Sequence, residues 1–190
     1  MPRPIDDLFF RQSRAKDAMA HHMMRIRELA KECGDCAEIG IRRGSSTIAI
    51  LAGCTGTLVS FDIEPYPQHS AIKEAAGAKW RPNYVPSEKG SLIGPVDLMC
   101  IDGFHNYPQV KMELDRFADQ VKRVLVFHDT VSCGTVGDGI ANPKVHQAPH
   151  LSDKRGIRMA IDELMIRDPS WFIEAHYPDN SGLLVLRRKG

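Results

Sequence analysis

The chain has 190 residues, enough for one domain with a sizeable core, and its 25 Lys and Arg against 24 Asp and Glu leave almost no net charge, which argues against a generic nucleic-acid-binding surface. No apolar run is long enough to span a bilayer, and the start, Met1-Pro-Arg-Pro-Ile-Asp-Asp7, lacks the apolar core of a signal peptide. Five cysteines, an odd count without paired spacing, suggest reduced thiols, so a cytoplasmic protein with no membrane partner is expected.

The first thirty-odd residues read as one helix. Ala18, His22, Ile26, Leu29/Ala30 and Cys33 recur at helical spacing, Met19, Met23 and Met24 widen the apolar face, and Gly34 serves as C-cap. Such a helix packs on the sheet edge or forms a lid or dimer surface, which leaves a homo-oligomer open. The His21-His22 pair, without partner spacing, is expected on the surface. Cys33-Gly-Asp-Cys36 is a C-x-x-C, but no second pair completes a zinc site, and both thiols read as small apolar residues closing a helix and opening a strand.

From Asp35 the pattern alternates. Strands are expected at Asp35–Ile39, Leu58–Asp62, Trp80–Val85, Val96–Asp102 and Val121–Phe127. Helices are expected at Ser45–Ala52, Ser70–Ala78, Tyr107–Gln120 and Ile157–Ile166, with Ser45 or Ser46 capping the first of these. Residues 130 to 155 form a long Gly/Pro-punctuated loop, of a length usually functional or disordered. Trp171–His176 and Leu183–Leu186 close the chain as an antiparallel hairpin. Alternating strands and helices imply an α/β fold: a doubly wound, mostly parallel sheet with a C-terminal antiparallel hairpin. The segment 1–34 and a domain spanning 35–190 are the expected units.

Chemistry concentrates at strand C-termini, which line the ligand crevice of such sheets. The run Val96 to Ile101 stops on Asp102, Gly103 lets the chain turn, and His105 follows; a buried strand ending in a carboxylate and an imidazole is costly as mere packing. The turn Glu38-Ile-Gly40-Ile-Arg-Arg-Gly44-Ser45-Ser46 departs from the G-x-G-x-x-G of dinucleotide binding, and its acid suits a ligand carrying an ammonium or sulfonium rather than a pyrophosphate. Asp62, ending its strand, is placed to take two ribose hydroxyls. Asp102 and Asp129 sit on strands about 4.8 Å apart and could converge on one cation, or else Asp129 caps the next segment and Asp102 bonds backbone N–H groups. His146 and His150 have a metal-like spacing that Pro149 spoils, and with Lys144, Lys154 and Arg155 they read as a basic loop near substrate.

In this order and at these distances, Glu38-x-Gly40-x-x-x-Gly44-x-Ser46, Asp62, Ile101-Asp-Gly-x-His105 and His128-Asp-Thr130 resemble the class I S-adenosylmethionine-dependent methyltransferases. They look most like the small-molecule O-methyltransferases related to macrocin O-methyltransferase and the cephalosporin hydroxylase family. Gly156-Ile-Arg-Met-Ala-Ile-Asp-Glu163 resembles the helix after that branch's substrate loop, so the likeness runs from about Asp35 to the C-terminus. The resemblance implies a Rossmann-like methyltransferase fold and a small hydroxylated substrate such as a sugar or vicinal diol. By position, Glu38 and Gly40 would hold the methionine end of S-adenosylmethionine, Gly44 and Ser45 the turn beneath it, Asp62 the ribose and Ser87 the adenine, with Asp102 also at the cofactor. Asp102, His128 and Asp129 would hold a divalent metal; His128 stands where related proteins carry an acid, which favours a transition metal over Mg²⁺. His105 would be the general base. The rivals are an NAD-type oxidoreductase on a similar sheet, a non-catalytic cofactor-binding protein of the same fold, and a hydroxylase suggested by kinship alone.

Overall fold

In the computed structural model, residues 3–138 and 153–190 are described. The N-terminal segment is two helices, α1 (Pro4–Gln12) and α2 (Ala18–Ala30), where one was expected. The break has a local cause: extended Asp17 turns its carboxylate onto the Ala20 N–H at 2.7 Å and starts a fresh helix. α2 ends with Lys31 as C-cap, so Gly34 does not play that part.

The alternating units follow as expected, with boundaries moved by up to three residues. They are β1 (Cys36–Ile39), α3 (Ser45–Gly53), β2 (Leu58–Asp62), α4 (His69–Ala76), β3 (Trp80–Tyr84), β4 (Val96–Ile101), α5 (Tyr107–Phe117), β5 (Val121–His128), α6 (Arg158–Arg167), β6 (Trp171–Tyr177) and β7 (Leu183–Arg188). They build one seven-stranded sheet in the order β3-β2-β1-β4-β5-β7-β6. The first five positions are parallel, while β7 runs antiparallel to both β5 and β6.

Successive residues of a strand face opposite layers. On β1, Cys36 joins the core under α2 and α3, whereas Ala37 and Ile39 join the core under α5 and α6. Both layers are mainly apolar, which is why the central strands read as nearly continuous hydrophobic runs. The chain reverses its winding between β1 and β4, and the crevice for a ligand lies at their C-terminal ends. His22 is fully buried, contrary to its expected surface place. Helical phase puts His21 outward, paired with Asp179, and turns His22 inward against the hairpin.

Candidate active site

Register sets the site. Ile39 pairs with Ile101 and Ile101 with Phe127, so Gly40, Asp102 and His128 follow side by side. Gly40 has φ +86°, and a Cβ there would overlap the backbone carbonyl of Asp102, so only glycine lets the turn after β1 lie this close to β4. Gly44, at φ +82°, is itself the N-cap of α3. Ser45 and Ser46 therefore do not cap the helix: Ser45 accepts from Gln12 at 2.9 Å, and Ser46 donates to Glu38 at 3.0 Å.

Glu38 sits on the α3 face of β1, fully buried, and accepts also from Thr47 at 2.6 Å and Ser60 at 2.7 Å. Burial pushes its carboxyl up to about 7, and the three hydroxyls offset part of that. Its carboxylate thus engages the floor of the turn. Asp62 accepts from the backbone of Ile41 and Arg42 at 2.8 Å each and from Ile63 at 2.7 Å, which ties the end of β2 to the turn after β1. Ser87 is buried behind the sheet, donating to Glu113 at 2.7 Å and accepting from Gln109 at 3.0 Å.

Asp102, His105, His128 and Asp129 converge. His128 Nδ1 lies 3.0 Å from Asp102 Oδ1 and 3.3 Å from Asp129 Oδ2, and His105 Nε2 lies 3.3 and 3.4 Å from the same two oxygens. Asp129 reaches back because its φ is +56°, a left-handed conformation that aspartate tolerates better than most residues. Its other oxygen accepts from Ser132 at 2.7 Å. Burial opposes ionisation of Asp102, yet the bonds from both imidazoles hold its carboxyl below the usual range. Burial likewise disfavours charged imidazoles, but their carboxylate partners win: His105 is raised to about 10 and His128 to about 9.

This corner tests well for a divalent cation. One atom each of Asp102, His128 and Asp129 lies within 4.8 Å of the others, and His128 turns its Nδ1 to both carboxylates while its buried Nε2, on the other side of the ring, has no hydrogen-bond partner among the described residues. Two carboxylate oxygens and an imidazole nitrogen are a donor set for a first-row transition metal.

Three groups to which sequence reading gave no part in the site also lie at or near it. Asp138, in the loop after β5, faces His105 Nδ1 at 2.9 Å, and the Cys133 thiol donates to its other oxygen at 3.3 Å. His22 packs edge-on against His128, with ring centroids 5.6 Å apart. Its Nδ1 must accept from the Arg25 guanidinium, so its Nε2–H donates to the Asn180 carbonyl. Glu113, on the buried face of α5, is raised by burial to about 7. For Glu113 a signal existed, because it falls at helical spacing with Val110, Leu114 and Phe117. His146 and His150 lie outside the described residues.

Residues 37–130 match a family model described as a methyltransferase domain. No curated protein matches. Solved structures do. A Podospora anserina methyltransferase with S-adenosylhomocysteine bound aligns at TM-score 0.64 and 17% identity, over 100% of this chain and 89% of that one. A Streptomyces achromogenes O-methyltransferase of tomaymycin synthesis, in complex with S-adenosylmethionine, aligns at 0.64 and 17%, over 90% and 81%. An N-methyltransferase from Bradyrhizobium japonicum with S-adenosylhomocysteine aligns at 0.61 and 12%, over 100% and 99%. The fold is the Rossmann-like one of these methyltransferases.

Proposed function

We propose that the chain is an S-adenosylmethionine-dependent methyltransferase that transfers the methyl group to a hydroxyl oxygen of a small molecule, with His105 as general base and a divalent cation held by Asp102, His128 and Asp129. The observation that carries this reading is the convergence of two carboxylates and two imidazoles at the tips of β4 and β5, beside the Gly40 turn. The branch of macrocin-type O-methyltransferases remains the best description of that set, and a sugar or vicinal diol is the acceptor class it suits.

S-Adenosylmethionine supplies a methyl group activated on a sulfonium, and a divalent cation when bound lowers the pKa of a substrate hydroxyl and fixes its oxygen. The chain does the rest. The turn from Glu38 to Ser45 presents backbone N–H groups and a buried acid below the cationic tail, and Asp62 stands where ribose hydroxyls can exchange for its backbone donors. His105 Nε2 points into the corner shared by Asp102 and Asp129, within reach of a hydroxyl seated there. As the new oxygen–carbon bond forms and the sulfur–carbon bond breaks, the hydroxyl proton passes to that nitrogen, leaving a methyl ether and a neutral thioether.

The test separates binding from turnover. Calorimetry should find S-adenosylhomocysteine bound by wild type and His105→Ala alike and lost in Asp62→Ala. Methyl transfer should fall by about a hundredfold or more in His105→Ala, and a strong chelator should slow the wild type. Full turnover by His105→Ala would remove it as the base, and indifference to the chelator would remove the metal.

A further inference from the structure

The loop after β5 brings one more acid to the site, from the side of His105 opposite Asp102. We propose that Asp138 is a positioning residue, which holds the His105 ring by its Nδ1–H so that Nε2 faces the reacting hydroxyl. The inference deepens the reading of His105 as base and rests on it.

The attachment is double. Asp138 Oδ2 lies 2.9 Å from His105 Nδ1, and the same oxygen is 3.3 Å from the His105 backbone N–H. In return the Asp138 N–H donates to the His105 carbonyl at 2.8 Å. Ring and backbone of the histidine are therefore gripped by one residue. Oδ1 of Asp138 is occupied separately by the Cys133 thiol, so the carboxylate cannot swing without giving up a second bond.

The loop is anchored where this needs it. Gly137 donates to the Lys154 carbonyl at 2.9 Å, and a Cβ on Gly137 would come within 2.7 Å of the His105 carbonyl and 2.8 Å of the Arg155 carbonyl. Tyr107 N–H donates to Arg155 at 2.8 Å, so the residues after His105 and the residues before α6 clamp the acid between them. Small size at 137 is thus the condition for Asp138 to reach its partner.

The chemistry follows from the imidazole. In this geometry the carboxylates of Asp102 and Asp129 at Nε2, with Asp138 at Nδ1, favour the charged ring. A divalent cation held by Asp102 and Asp129 would draw off the charge facing Nε2, and in the neutral ring a carboxylate at Nδ1 keeps the proton there and leaves the lone pair on Nε2. A carboxylate behind the histidine does the same in the Ser-His-Asp arrangement, where changing it to an amide favours the wrong tautomer. Asp102 and Asp129 cannot serve this purpose, since they lie on the Nε2 side.

The experiment reads the ring directly. In protein labelled with ¹⁵N-histidine, wild type should show a downfield Nδ1–H resonance that disappears in His105→Gln, which assigns it. Asp138→Asn should lose or sharply shift that resonance, with the melting temperature and S-adenosylhomocysteine affinity unchanged. Using catechol as a vicinal-diol probe, kcat should fall about a hundredfold with KM unaltered. An Asp138→Asn protein whose His105 resonance is unmoved overturns the inference. Failure of the base reading is seen separately, as turnover surviving His105→Ala.

Discussion

Two buried acids away from the proposed metal corner make the fold pH-sensitive. Glu38 and Glu113 are each raised from an ordinary 4.5 to about 7, first by burial and despite donated hydrogen bonds. In the unfolded chain both ionise near 4.5, while in the folded protein they stay protonated until about 7. The unfolded state thus binds fewer protons between these values, and folding stability falls as pH rises across that window. Each group accounts for about 3 kcal/mol on the scale of 1.36 kcal/mol per pKa unit. Urea denaturation at a series of pH values should show this decline, and Glu113→Gln should flatten it. A midpoint that rises from pH 4.5 to 7 in wild type would contradict the burial account. The two acids differ in how they meet their surroundings: Glu38 has both oxygens bonded, whereas Glu113 Oε2 is buried without a partner among the described residues. Such an orphaned atom costs most when charged.

At the scale of elements, the crevice depends on how tightly the turn after β1 lies against the end of β4. Gly40→Ala has to relieve both a positive φ and an overlap with the Asp102 carbonyl. Neither neighbour is a flexible side chain, so the strands must shift, at a cost of about 2 kcal/mol or more. The expected result is a lower denaturation midpoint together with weakened S-adenosylhomocysteine binding, measured on the same preparation; an alanine variant of unchanged stability would show the contact to be slack. This turn was legible in the sequence, because glycine spacing and the strand-ending acids are local signals. β2, Leu58–Asp62, was likewise read to the residue, since an apolar run and Glu64-Pro65 bound it. What was not legible depends on distant phase or distant partners. Asp138 is 33 residues from His105 and sits in a stretch with no period. The burial of His22 had a local mark in its place between Ala18 and Ile26 on the apolar stripe, but its partner, the Asn180 carbonyl of the hairpin, lies outside any window around His21-His22. The break between α1 and α2 had a local mark in Asp17, but the helical spacing was read only from Ala18 onward and carries no sign of a separate helix before it.

For the molecule as a whole, the N-terminal helices and the sheet form one packed body. Ile5, Phe9, Met19, Met23 and Ile26 lie in the same buried cluster as Cys36 and Leu58 of the sheet and Ile48 and Leu51 of α3. Contact there is close: a Cβ on Gly53 of α3 would strike the Arg27 carbonyl and Ala30 of α2. Gln12 bonds Ser45, Arg3 bonds the Ala52 carbonyl, and Arg25 with His21 holds Asp179 in the hairpin turn, so both ends of the chain are tied to the body. At about 2 kcal/mol for each of the five buried side chains, their removal forfeits on the order of 10 kcal/mol. That is comparable to the entire stability of an ordinary domain. A chain starting at residue 35 should therefore lose its cooperative melting transition and bind a hydrophobic dye, because α3 would present its outer apolar face to water. In the full chain, Phe9→Ala should cost about 3 to 5 kcal/mol, in the range of buried aromatic truncations. A lid that merely rests on the sheet makes the opposite forecast for both measurements. The shortened chain would then melt cooperatively near the wild-type temperature, and Phe9→Ala would be nearly silent.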